Sequence, residues 1–262
     1  YGIQDDGVDQ LGSNRPEVGH PDFRGRAQWR HNQDIYEYGT TYVRVLAQAE
    51  YLSDKDFLEQ FYKQEFDMGP NQDTFLHVYG AHDNWYGSFL TQGRVSTNWW
   101  TQTEWLPRAD GALIGETFLR DRLVYSADAS AGYARLLPAT VAPLPILVSN
   151  AVPVNTGRFD VEQRINAPFD AGPFRINPHG ILDLTYYSQD IYGNDQSRIY
   201  GGGGASISAT ASRLYREAQS ELFNVRGLYH KVTLTADYTT VRSNTPYYLL
   251  PQLDPLFDNA VD

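Results

Sequence analysis

Carboxylates at alternate positions, and one carboxylate set among tryptophans, are the groups in this 262-residue chain best equipped for chemistry. Asp160 and Glu162 share one face of any strand that holds them, and Glu104 lies between Trp99, Trp100 and Trp105 in "NWWTQTEW". Paired acids beside flat aromatic platforms suit glycoside hydrolysis, where one carboxyl protonates the leaving oxygen and the other attacks or activates water. A hydrated, acid-lined channel wall scatters carboxylates in the same way, and nothing in the sequence selects one pair. Of the six histidines, His20, His31, His77, His82, His179 and His230, only His77 and His82 are close. Their spacing puts them on opposite faces of a strand with a turn between, which argues against a zinc pair. There is no Gly-x-Ser-x-Gly elbow, lysine-bearing phosphate loop, dinucleotide fingerprint or EF-hand. The run "GGGG", Gly201 to Gly204, has neither the helix nor the lysine of a phosphate loop, and reads as a bend or a close backbone approach. The expectation is a chain with no catalytic residue, no metal and no cofactor.

The elements that would carry these groups are strands. In "TTYVRVLAQAEYL" the residues Val43, Val45, Ala47, Ala49 and Tyr51 fall on one face, with Arg44, Gln48 and Glu50 on the other. "RLVYSADASAGYARL" repeats the alternation, with Leu123, Tyr125, Ala127, Ala129, Ala131 and Tyr133 opposite Ser126, Asp128 and Ser130. "YHKVTLTADYTTV" repeats it again, with Val232, Leu234, Ala236 and Tyr238 opposite Lys231, Thr233, Thr235, Asp237 and Thr239. Less regular strands are expected at 23–31, 74–80, 85–95, 100–106, 159–169, 174–187 and 198–211. That makes about ten, many near the ~9–11 residues a tilted strand needs to cross a bilayer. Turn signals stand between them at "NQDIYEYG", "HDN", "FDAGP" and "YGNDQ".

One stretch breaks the period of two. "SDKDFLEQFYKQEFD" sets Phe57, Leu58, Phe61, Tyr62 and Phe66 at helical spacing, with Ser53 as N-cap and Gly69-Pro70 as the stop, so a short loop helix is expected near 54–66. "LGSNRPEVGHPD" reads as a loop, and so does the four-proline stretch 137–157, taken as a long loop inside one domain spanning 1–262.

Composition narrows the class. The absence of cysteine excludes a disulfide scaffold, a thiolate metal site and a cysteine nucleophile. A net charge of -11 with no basic run excludes duplex nucleic acid as a main partner. Aromatics make up 14% of a chain whose mean hydropathy is -0.49 and which holds no long apolar run, so no membrane-spanning helix is expected. An outer-membrane β-barrel combines many aromatics with low mean hydropathy, because lipid-facing and lumen-facing residues alternate and aromatic girdles mark both interfaces. A soluble sugar-binding or sugar-cleaving β protein combines them too.

Taken together, "YLSDKDFLEQFYKQEFD", "HDNW", "TQTEWLPRAD" and "ASAGYARL" resemble the C-terminal barrel of the lipopolysaccharide-assembly outer-membrane proteins, the LptD or organic solvent tolerance family. The likeness is strongest from Thr40 to Leu136, and "RFDVEQRINAPFDAGPFRINPHG" and "SELFNVRGLYHKV" resemble later strands of that barrel. The resemblance implies a translocon component in the cell outer membrane that inserts lipopolysaccharide into the outer leaflet. Its implied partners are lipopolysaccharide, outer-membrane lipids, a plug lipoprotein and periplasmic bridge proteins, and it implies no cofactor and no bond-making step. The chain departs from the family in lacking its disulfide-forming cysteines, its periplasmic β-jellyroll and its signal peptide, and in having too few strands for its closed barrel. The expectation is an internal piece: an antiparallel up-and-down transmembrane barrel segment, incomplete, with a generic porin as the alternative in the same location.

On this reading the lumen-facing candidates are Arg44, Gln48, Glu50, Asp128, Ser130, Lys231, Thr233, Thr235 and Asp237. Val43, Val45, Ala47, Ala127, Ala129, Val232, Leu234 and Ala236 would face acyl chains, and Tyr51, Tyr125, Tyr133 and Tyr238 the interfaces.

Overall fold

A computed structural model describes residues 2–5, 7, 9, 20–68, 73–95, 99, 101–139 and 152–254. Twelve strands form one antiparallel sheet: β1 (Gly2–Gln4), β2 (Phe23–Tyr38), β3 (Thr41–Leu52), β4 (Thr74–His82), β5 (Trp85–Gly93), β6 (Gln102–Phe118), β7 (Leu123–Leu137), β8 (Val154–Asn166), β9 (Phe169–Ala171), β10 (Phe174–Tyr187), β11 (Gln196–Ser220) and β12 (Val225–Ser243). Neighbours in sequence are neighbours in the sheet, except that β9 continues the line of β8 along β10. β1 and β12 lie at the two ends of the strand order, so the fold is all-β, up-and-down and open. Ten of the strands are long, in agreement with the alternation in the sequence.

The two ends of the sheet are built differently. At one end the strands are joined by tight turns at Gly39–Thr40, Asp83–Asn84, Leu119–Arg122, Gly172–Pro173 and Glu221–Asn224. Positive φ at Gly39, Asp83 and Gly172 supplies the backbone twist that two-residue hairpin turns need. At the other end the connections are longer, and the helical one between β3 and β4 folds back onto the sheet, as does the segment that follows β12.

Several boundaries differ from the sequence expectation. "NQDIYEYG" is not a turn; residues 32–38 belong to β2, which runs to Tyr38 past a register shift between Asp34 and Tyr36. Its Ile35, Tyr36 and Tyr38 suit a strand, and the polar run Asn32-Gln33-Asp34 that resembles a turn stays extended because each of its residues pairs with β3. The strand expected at 100–106 is β6, which passes through Pro107 at a register shift and continues to Phe118; a bulge is where a sheet tolerates proline. The strand expected from Phe159 begins at Val154, and the loop expected over 137–157 gives Leu137 to β7 and residues 154–157 to β8. Most of that loop, 140–151, lies outside the described residues, as do residues 11–19 of the first loop.

The expected helix near 54–66 is two helices, α1 (Phe57–Phe61) and α2 (Lys63–Asp67), broken at Tyr62 with φ -137° and ψ 50°. Ser53 is not the cap. The Asp54 carboxylate accepts the Asp56 N–H at 3.1 Å, while the Ser53 hydroxyl donates to Asp54 and accepts the Gly25 N–H. The expected stop, Gly69-Pro70, lies outside the described residues.

"GGGG" lies inside β11, where β10 and β12 approach from both sides. A Cβ on Gly202 or Gly204 would come within 2.0 Å or 1.9 Å of a carbonyl oxygen on β12. Only glycine allows the backbones to come that close.

Candidate functional site

Register assigns every side chain of the sheet to one of two faces. Arg24, Arg26, Gln28, Arg30, Asn32 and Asp34 on β2 share a face with Arg44, Gln48 and Glu50 on β3. The same face continues through His77 and Tyr79 on β4, Ser88 on β5, Arg108 and Asp110 on β6, and Asp128 and Ser130 on β7. It then takes in Arg158, Asp160, Glu162 and Arg164 on β8, Asp183 and Thr185 on β10, and Arg198 and Tyr200 on β11. The opposite face carries Trp29, Tyr51, Phe89, Tyr133, Phe159, Leu182, Leu184, Tyr186, Ile207 and Leu234, all exposed.

Burial is inverted relative to an ordinary soluble domain. Among the described residues, seventeen buried polar or charged residues outnumber ten buried apolar ones. Charged side chains are almost never buried unless paired, and most of those on this face are paired. Thr185 donates to Asp183 at 2.7 Å, and Arg198 reaches both Thr185 at 3.3 Å and Asp183 at 3.6 Å. Arg108 donates to Asp110 at 2.6 Å, Ser88 donates to the other Asp110 oxygen at 3.1 Å, and Arg164 pairs with Glu162. Arg108 and Arg158 also stack on Trp105, each guanidinium carbon 4.9 Å from the ring centroid. Asp160, only 6% exposed, has one oxygen with no hydrogen-bond partner among the described residues.

These groups line a groove. A cavity of about 360 Å³ is bounded by Tyr86, Arg108, Asp110, Asp128, Ser130, Arg158, Asp160, Glu162 and Arg164, and by Asp254 from beyond β12. A second of about 370 Å³ adjoins it at Arg164 and is bounded by Asn166, His179, Tyr200, Asp237 and Thr239. Asp254 shares the first cavity with Tyr86 of β5, so the segment after β12 lies across the polar face of the sheet. Two hydrogen bonds tie that segment down: Thr245 donates to the Ser197 carbonyl at 3.0 Å, and Thr103 donates to the Leu253 carbonyl at 2.8 Å. Leu250 and Leu253 pack with Trp105, Ala134, Leu136, Val154 and Tyr187.

The helices cover the same face at its other flank. Leu52, Phe57 and Leu58 form a small apolar cluster with Phe61, Tyr62, Phe66 and Trp99 against it. Arg26 grips Glu65 through two hydrogen bonds of 2.7 Å and 2.8 Å and lies 5.9 Å from the Tyr62 ring. The Arg26 hydrogen bonds hold the Glu65 carboxyl below its ordinary pKa.

The sequence-derived candidates divide between the faces by register as their alternation implied. Arg44 pairs with Asp34, Gln48 donates to the Asp73 carbonyl at 2.9 Å, and Glu50 accepts from Arg26 and Gln28. Asp128, Ser130 and Asp237 line the groove; Thr233 meets Thr210 at 3.1 Å, Thr235 lies beside Ser208, and Lys231 lies beyond the end of β10. Val43, Val45, Ala47, Ala127, Ala129, Val232, Leu234, Ala236 and the tyrosines Tyr51, Tyr125, Tyr133 and Tyr238 lie on the other face.

The arrangement of Glu104 among tryptophans does not form. Glu104 accepts the Arg94 N–H at 2.7 Å and pairs with Arg135 at 3.4 Å, while its strand neighbour Trp105 projects to the opposite face and Trp99 joins the helices. Trp100 lies outside the described residues. His77 and His82 occupy opposite faces of β4, His77 stacked on Tyr79 and His82 beside Thr41 at 2.6 Å.

Spacing gave no sign of one cluster at the chain's beginning, because the loop that gathers it is long. Asp5, Asp9 and His20 converge there closely enough to hold a metal ion. Arg24 already supplies a cation, donating from Nη1 to both Asp5 and Asp9. His20 directs its ring nitrogens at the carbonyls of Pro21, 3.1 Å away, and Gly7, 3.0 Å away; only an imidazolium can donate from both, which raises its pKa. The donor set therefore fits a salt-bridged cluster better than a metal site. No protein-family model matches the chain, and no curated protein matches its sequence.

Proposed function

We propose that this chain forms part of an outer-membrane β-barrel whose groove belongs to the route by which lipopolysaccharide reaches the outer leaflet. The observation that carries the membrane reading is the inverted polarity: ion pairs buried on one face, aromatic and aliphatic side chains exposed on the other. Water penalises that outer face, and hydrocarbon solvates it.

The placement of aromatics supports the same reading. Tyr51, Tyr133, Phe159 and Tyr186 lie toward the long-connection end of the apolar face, and Trp85, Tyr125, Phe169 and Phe174 toward the tight-turn end. Phe174 and Tyr186 are separated along β10 by a rise of about 40 Å, or about 30 Å of height at an ordinary barrel tilt. That is close to the ~25 Å apolar band between the girdles of outer-membrane barrels. The assembly role rests on the resemblance of the Thr40–Leu136 stretches, with no bond-making step and no cofactor assigned.

Two measurements test the proposal. Expressed with its native neighbours, the protein should fractionate with outer membranes and require detergent for extraction; recovery in a soluble fraction would sink the membrane reading. Depletion in the source cell should lower lipopolysaccharide at the surface, whereas unchanged surface lipopolysaccharide with lost small-solute uptake would favour a porin.

A further inference from the structure

The β11–β12 hairpin outgrows the sheet. Its last neighbour on β10 is Phe174, which faces Ala209, yet β11 continues to Ser220 and pairs with β12 back to Val225. Eleven further residues on β11 carry the ribbon about 35 Å beyond that neighbour. A register shift between Tyr215 and Gln219, with Gly227 at φ 96°, bends it partway along.

Two properties mark this ribbon. Between Thr210 and Thr233 it carries Arg213, Arg216, Arg226 and Lys231 against Glu217 and Glu221, a basic element in a chain of net charge -11. None of those four cations has an ion-pair partner among the described residues, unlike the buried Arg24 and Arg198 and the groove's Arg108 and Arg164, although exposed cations such as Arg30 and Arg175 are unpaired as well. The ribbon also ends on apolar side chains, Leu222 at 86% and Phe223 at 75% exposure, the first and third most exposed of the described large hydrophobics, with Tyr38 between them.

From the unpaired cations and the apolar tip we infer that the β11–β12 ribbon docks on phosphate-bearing lipid headgroups, its arginines on the phosphates and Leu222-Phe223 among the acyl chains. An acidic protein surface would satisfy the arginines but gives no reason to leave a leucine and a phenylalanine side by side at the apex. A lipid interface takes both, since basic residues gain from anionic headgroups while apolar side chains enter the layer beneath. The inference uses the membrane location proposed above but not the transport role, and because Phe174 already marks the tight-turn girdle it requires the bend at Tyr215–Gln219 to turn the ribbon back onto the bilayer surface.

The absence of cysteine makes the test direct, because Phe223→Cys provides a single thiol in the full chain for an environment-sensitive fluorophore. The labelled protein, its β content confirmed by circular dichroism, is held in phosphocholine micelles and titrated with phosphatidylglycerol or, in parallel, phosphatidylcholine. The expected result is a blue shift with phosphatidylglycerol alone, weakened by salt and shifted to roughly tenfold or more higher lipid in the R213E/R216E/R226E variant. An R213Q/R216Q/R226Q variant gives the intermediate case should charge reversal disturb folding. An equal response to both lipids, no response, or unaltered binding by both variants overturns the inference. If the chain proves soluble without detergent, the membrane reading fails separately, and the same titration with dihexanoyl lipids below their micelle concentration still decides the ribbon.

Discussion

Arg24 on β2 holds the Asp54 carboxylate with a two-point grip, Nε to Oδ2 at 3.0 Å and Nη2 to Oδ1 at 2.8 Å, and its guanidinium carbon lies 5.0 Å from the Phe61 ring centroid. With Asp5 and Asp9 on its Nη1, one fully buried guanidinium joins the first strand, the β3–β4 connection and α1. Arg24→Met should destabilise the fold by about 3–5 kcal/mol, because it leaves three carboxylates facing one another without their cation. Asp54→Asn should cost less, since Asp5 and Asp9 remain. Denaturant unfolding of both variants checks the order, and an Arg24→Met cost below that of Asp54→Asn would show that the guanidinium is not the hub.

Adjacent residues on β12 test which face meets lipid. Ala236 lies on the apolar face opposite Ile207, and Thr235 on the polar face opposite Ser208. Ala236 is level with Ile176, two residues in from the Phe174 girdle, so Ala236→Arg should cost up to about 1 kcal/mol in folding equilibria measured in lipid vesicles and Thr235→Arg close to nothing, with the cost rising to about 2–4 kcal/mol for Leu182→Arg near the middle of the band. Equal costs would mean that neither face is in hydrocarbon.

The grip of Arg26 on Glu65 makes the helical cover sensitive to acid. A carboxyl whose folded pKa lies below its unfolded value contributes stability that is complete above the unfolded pKa and is lost as pH falls through the folded one. Stability should therefore decline as the solution is taken below about pH 4, with part of the decline absent in Glu65→Gln. Tryptophan fluorescence during acid titration reads this, because Trp99 packs against the same helices.

Leu250 and Leu253 anchor the segment that follows β12 against Trp105 and Tyr187. Leu250→Ala should destabilise that packing by about 2–5 kcal/mol and open the groove. A thiol placed at Ser130, buried on the wall of the first cavity, should then react faster with a bulky maleimide than in the parent, and an unchanged rate would mean that the segment does not cover the groove.

Much of this molecule was already written in its alternation. Strict period-two runs on β3, β7 and β12 identified their strands and both faces, since each side chain's face follows from its parity once the backbone is extended. The helical spacing of Phe57, Leu58 and Phe61 marked the break in that pattern for the same reason. What alternation cannot encode is which separate strands bring their polar residues together. Arg158 stacking on Trp105, Arg198 reaching Asp183 and Thr185, and Asp254 joining Arg108 in one cavity depend on register shifts and on a chain segment folding back across the sheet. That the carboxylate of Asp54, rather than Ser53, receives the N–H of Asp56 ahead of α1 was likewise decided by Arg24, thirty residues away. Sequence by itself determined the strands and the two faces, because both depend on neighbours along the chain. Only the tertiary structure decided the ion-pair network and the groove, because charges are buried where distant partners meet them.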